Sequence, residues 1–374
     1  MKLVRSLWLG LLCISTQKST AQPEVPKYFQ QEVHYAFDVY LDDQSHTLAA
    51  AQSITYINHS PDTLREMYVH LWANAYSSVQ SAFAKQQLQL GYQDFFFARP
   101  EDRGGFDSIE FLIGGQRVWW HYVVPHIDVA LLHLPKPLWP GDTLELESKW
   151  LLRIPKVFSR LGREGQSYYM TQWYPKPAVY DREGWHPMPY LDVGEFYSEM
   201  GNFDLRLNLP RNYVVAATGQ LHTAEELHFL QQRLAETQHL IQYADAALSD
   251  EIPPSDSVRK TLHFTAEQVH DFAWFADKRF LVVKDSAVLS SGKKVDTWAF
   301  FQPTALPHWQ QVARWVGCAL QYYDQHVGPY PWPQATAVSG PLEAGDGMEY
   351  PMITLIASDI EDVAVLENIV VHMK

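Results

Sequence analysis

Residues Gly340 to Lys374 read GPLEAGDGMEYPMITLIASDIEDVAVLENIVVHMK. A Gly-rich turn carries a carboxylate (Gly345, Gly347, Glu349), a short apolar run follows (Met352 to Ile356), and a helix closes the stretch at His372. Ser358 with Glu361 three residues on forms a capping box. Apolar residues at 363, 366, 369 and 370 then give that helix one buried face. The order is turn, strand, helix, histidine.

Upstream of it, Phe280 to Phe301 reads as strands around a Ser291-Gly292 turn. A helix over 306–326 follows, marked by Trp309, Val312, Val316, Leu320 and Tyr323 at helical spacing. Cys318 falls inside it and is expected to be a small buried packing residue. Gly328-Pro329-Tyr330-Pro331 ends the helix and leads to a strand at Ala335 to Ser339.

Further back, from Val33 to about Gly219, the alternation has period two. Val33, Tyr35, Phe37, Val39 and Leu41 form one such set, Leu144, Leu146 and Ser148 a second, and Phe203, Leu205, Leu207 and Leu209 a third. Turn signals at Ser60-Pro61-Asp62, Pro140-Gly141-Asp142 and Pro210-Arg211-Asn212 separate them, so this part is expected to be β-sandwich-like. Residues 223–247 turn helical, Pro253-Pro254-Ser255 stops them, and a strand at Thr261 to Phe264 leads to a boundary near residue 280.

At 374 residues the length fits two domains, and a hydrophobic fraction of 47% with 14% aromatics is enough for large cores. The formal net charge is −14 and no Lys/Arg-rich run occurs, which argues against nucleic acid as a partner. Residues 1–21 read as a secretory signal: Lys2 and Arg5, an apolar core from Leu7 to Ile14, and Ser19-Thr20-Ala21 before Gln22. That core is well short of the ~18 residues that read as a transmembrane helix, and no other apolar run is long enough to span a bilayer. Export to the periplasm or outside the cell is the expectation. Cys318 would then be the one cysteine of the mature chain, which leaves no internal disulfide.

The stretch from Gly345 to His372 resembles part of the aminopeptidase N-like M1 zinc metallopeptidases, in which a Gly-x-Met-Glu-Asn loop precedes a helix bearing H-E-x-x-H. The resemblance extends to Tyr68-Val69-His70-Leu71-Trp72-Ala73-Asn74-Ala75-Tyr76, to the run from Thr171 to Gly201, to His270-Asp271-Phe272-Ala273 and to Tyr330-Pro331. It implies an α+β, β-rich fold. A β-saddle domain over 22–279, with a helical connector at 223–252, precedes the incomplete start of a thermolysin-like domain over 280–374.

The same resemblance implies an exported zinc aminopeptidase removing N-terminal residues from peptides. His372 matches the first zinc ligand, and Glu349 the loop carboxylate that pairs with the substrate's free amine. Gln172 matches a glutamine reaching into the same pocket. Gly347 and Met348 belong to the loop, Gly347 letting backbone and substrate approach like paired strands. Met373 stands where the family has its general-base glutamate, so no catalytic residue is assigned. The expectation is a chain cut off at the first metal ligand and inactive alone. Tyr350 replaces the family's Asn, which bears on strict aminopeptidase specificity. A retained non-catalytic, secreted binding module is the other reading. The aromatic run Trp173 to Tyr190 reads as packing, and His121, His126, His263 and His270 as structural.

Overall fold

The computed structural model describes residues 28–243, 248–342 and 345–373. The signal at 1–21 and part of the helical connector, 244–247, lie outside the described residues.

The period-two segments form the expected strands. Glu32–Asp42, Thr47–Ile57, Thr143–Arg153, Gly105–Ile113, Gly201–Pro210 and Arg259–Val269 belong to one sheet, eight strands wide among the described residues. Glu32–Asp42 pairs in parallel with Gly201–Pro210, whereas its other neighbour, Thr47–Ile57, is antiparallel. Every residue of the three alternating sets is buried, as one covered face requires. Two four-stranded sheets stack against it, one built on Leu64–His70 and His126–Leu138, the other on Ser167–Met170 and Trp274–Asp277. Trp173, Tyr174 and Tyr190 lie in the core between the layers.

The helix Ala224–Tyr243 lies against a five-stranded sheet, its Leu230 sharing a core with Val282 and Phe300. The sheet order is Leu281–Val288, Lys294–Phe301, Gln334–Gly340, Ile353–Ala357, Gly347–Tyr350, so Gly347–Tyr350 is an end strand. The two middle pairings are parallel and the outer two antiparallel. One core cluster lies between this sheet and the helices Val312–His326 and Val363–His372. Another joins the sheet to the rest of the chain, bringing Tyr169, Val214, Leu230 and Phe275 against Val338, Tyr350 and Leu355. The fold is α+β and β-rich, as expected.

Contact across this junction is close. A Cβ on Gly340 would stand 2.1 Å from Cε1 of Tyr169, so only glycine lets the aromatic ring lie on the strand's backbone. Thr218 donates its hydroxyl proton to the Pro351 carbonyl at 3.0 Å, and Gln334 donates to the Ala217 carbonyl at 3.3 Å.

Three local expectations are corrected. The last helix is capped by Asp362, whose carboxylate accepts from Ala364 N (2.8 Å) and Val365 N (3.1 Å), and not by Ser358. Ser358 N instead donates to the Gly340 carbonyl, which holds that residue in the strand-end turn. The helix foreseen over 306–326 is two, Leu306–Trp309 and Val312–His326. Cys318 is exposed. Two residues on from buried Val316, it points about 200° around the helix from the packed face.

Candidate functional site

A cleft of about 860 Å³ runs between the end strand Gly347–Tyr350 and the loops of the β-rich part. Gln172, Gly347, Met348, Glu349 and His372 all line it, with Met373 beside them.

On the sheet side the strand alternates. Met348 and Tyr350 are buried in the junction core, while Glu349 is exposed. A Cβ on Gly347 would come within 2.9 Å of Met373 Cε and 3.1 Å of Ile369 Cγ2, so glycine there lets the last helix pack close to the strand. That helix is anchored through buried Leu366 and Val370. At its end, the Tyr323 and Thr354 hydroxyls donate to the carbonyls of Val371 (3.2 Å) and Met373 (3.0 Å), which places His372 at the cleft with its side chain exposed.

On the opposite wall Gln172 is 3% exposed and adopts φ +45°, a left-handed conformation a glutamine takes at a cost. Its Nε2 donates to Asp271 at 3.3 Å, and its Oε1 has no partner among the described residues. Asp271 also accepts from the Tyr174 hydroxyl (2.8 Å) and from Phe272 N (2.9 Å), and it pairs with Lys176 at 3.2 Å. Lys176 is buried and lies 4.8 Å from the Trp72 ring centroid; burial lowers its pKa, against the upward pull of Asp271. His270, read from sequence as structural, is a cleft residue. Burial lowers its pKa first, Asp271 pulls it up, Lys176 pushes it down, and Glu195 and Glu349 pull it up.

Deeper in the wall, Arg160 is 5% exposed. Its Nη2 donates to the carbonyls of Asp192 (3.1 Å) and Gly194 (3.5 Å), and its guanidinium stands 5.1 Å from the Phe196 ring. The Asp192 carboxylate is taken up by the Ser159 hydroxyl, and burial raises its pKa despite Ser159 and Arg160. Sequence reasoning did not single out Arg160, Asp192, Lys176 or Asp271 as site residues. Asp271, beside His270, and Lys176 and Asp192, within the run Thr171 to Gly201, carried only the signal of lying in stretches that match the family order; Arg160 lies in none of them.

A structural zinc takes four protein ligands and a catalytic one three. Among the described residues no three His, Cys, Asp or Glu donors converge, so these residues alone do not complete a zinc centre. The arrangement offers recognition chemistry instead. It combines an exposed carboxylate on an end strand, an unpartnered buried amide oxygen, and a buried cation. None of the described helices is long and apolar enough to cross a membrane.

No protein-family model and no curated protein sequence matches the chain. Solved structures do. The M1 zinc metallopeptidase of Deinococcus radiodurans matches with a TM-score of 0.53 at 14% identity, over 93% of this chain and 64% of that one. A mutant of the two-domain M1 zinc metallopeptidase bound to L-tryptophan matches with a TM-score of 0.53 at 14% identity, over 92% and 64%. A mutant from Deinococcus radiodurans bound to a Tyr-Ser-Ala substrate matches with a TM-score of 0.52 at 15% identity, over 90% and 63%. The chain thus shares the M1 metallopeptidase fold and spans about 64% of the length of those structures.

Proposed function

We propose that the cleft holds the amino-terminal end of an extended peptide, as the recognition part of an exported M1-like zinc aminopeptidase. The observation that carries this is the meeting of Glu349 and Gln172 on two walls of one cleft. A peptide's terminal ammonium needs acceptors, and a carboxylate with a buried, unpartnered amide oxygen supplies them. The strand Gly347–Tyr350 adds the main chain. As an end strand with one partner it has backbone donors and acceptors to offer an extended ligand.

In that reading His372 is one zinc donor and Met373 stands at the position of the family's base; the described residues hold no complete metal site, so no hydrolytic step is assigned to them. Export follows from the signal-like residues 1–21 and is checked by sequencing the amino terminus of the secreted protein.

Isothermal titration of the 374-residue chain tests the proposal. An alanine-rich tripeptide with a free amine is expected to bind at least ~10-fold more tightly than its N-acetylated form, since a charged hydrogen bond is lost. Equal affinities would overturn the amine-binding reading and favour a non-catalytic binding module. In parallel, aminoacyl anilides with added zinc are expected to stay at the no-enzyme rate.

A further inference from the structure

Arg160 keeps unmatched donors in the wall of the cleft. A guanidinium has five N–H donors and no acceptor. Here Nη2 is used by two loop carbonyls, while Nε and Nη1 are buried without an acceptor among the described residues. Phe196 covers the guanidinium, and the Asp192 carboxylate takes its hydrogen bond from Ser159 and meets Arg160 through its charge. A buried cation with unmatched donors is unfavourable unless an anion answers it. The partly closed cluster lies in a cleft wall, on the same cavity as Glu349 and Gln172 and within electrostatic reach of Tyr350, the neighbour of Glu349.

The cleft is therefore amphoteric. It offers acceptors around Gln172 and Glu349 and donors at Arg160. We infer that Arg160 receives a carboxylate on the side chain of the peptide's first residue, making this a site for peptides that begin with Asp or Glu. This rests on the amine-binding proposal above and names the substrate class that goes with it. Neutral and basic first residues leave the guanidinium unanswered, and a basic one adds repulsion.

The test is isothermal titration of the full 374-residue chain with C-terminally amidated Glu-Ala-Ala, Asp-Ala-Ala, Gln-Ala-Ala and Lys-Ala-Ala. Amidation leaves the side chain as the only carboxylate. The better of the two acidic peptides is expected to bind at least ~10-fold more tightly than the Gln peptide, and the Lys peptide most weakly. In Arg160→Met the acid-to-Gln ratio is expected to fall to about one. Because the preference is first read on the unaltered chain, a variant that fails to fold does not block the decision.

Equal binding of the acidic and Gln peptides, with acetylation still weakening both, overturns the role of Arg160 and leaves the amine site standing. So does tight binding of unamidated Gln-Ala-Ala, which would put the carboxylate at the other end of the ligand. Binding of none of the peptides, or indifference to acetylation, overturns both proposals together.

Discussion

Two buried groups of charges differ in one respect. The first lies beneath the β-rich layers. Asp277 is fully buried and receives Arg279 (2.6 Å) and the Ser167 hydroxyl (2.6 Å), while Arg279 Nη1 donates to the Asp250 carbonyl at 2.8 Å. Next to it, Lys278 donates to Gln166 (2.5 Å) and Ser255 (2.9 Å), and the Tyr213 hydroxyl donates to Asp43 (2.9 Å). The second group is the cleft wall, where Arg160 and Gln172 are as deeply placed and keep polar atoms unmatched. A closed network holds a fold together. An open one at the same depth is a cost to the free protein that a ligand can repay.

The comparison breaks first at Arg279. Arg279→Met takes the paired guanidinium from the buried Asp277 carboxylate and is expected to destabilise the chain by about 3–5 kcal/mol, read by chemical denaturation. A loss below about 1 kcal/mol would mean the closed network is not a stabilising feature.

The next largest effect is one of pH. Burial pushes the Glu199 carboxyl up to about 7, beside the cleft loop. The folded protein then keeps a proton that the unfolded chain releases near the ordinary value of 4.5. This contribution is whole below pH 4.5 and is lost as pH rises towards 7, by up to about 3 kcal/mol. Glu199→Gln is expected to flatten that decline and to raise stability at pH 7.5. Melting curves at pH 5 and 7.5 for both proteins read it directly, and parallel slopes would refute the assignment.

The smallest effect has the opposite sign to the first. Arg160→Met removes a buried cation with two unmatched donors, so a gain of about 1–2 kcal/mol is expected where Arg279→Met loses. Two arginines, one substitution and two signs make the comparison sharp. If Arg160→Met also destabilised by several kcal/mol, the cleft wall would be a structural network like the other.

Much of this fold could be read from the chain because a strand with one covered face must alternate. Tyr35, Phe37 and Val39, or Phe203, Leu205 and Leu207, declare themselves without tertiary information. Helix ends were less legible. Ser358 and Glu361 make a capping pattern, but Asp362 is adjacent to the helix and captures two of its free amides. Gln172, Glu349 and His372 could be singled out only through motif resemblance, and nothing in their spacing shows that they meet. Arg160 had no signal at all. Its surroundings come from Phe196, Asp192 and Tyr350, far along the chain, and a lone arginine in Ser159-Arg160-Leu161-Gly162 looks like any surface charge.

The contact between Tyr169 and Gly340 bears on kinetics. With an aromatic ring laid on strand backbone, and Thr218 and Gln334 bonded across the same junction, the two walls of the cleft are already docked before a ligand arrives. Encounter then needs no closing step, and peptides of different sequence should associate at similar rates, about 10⁵–10⁷ M⁻¹s⁻¹. What separates a preferred peptide from a poor one is how long it stays.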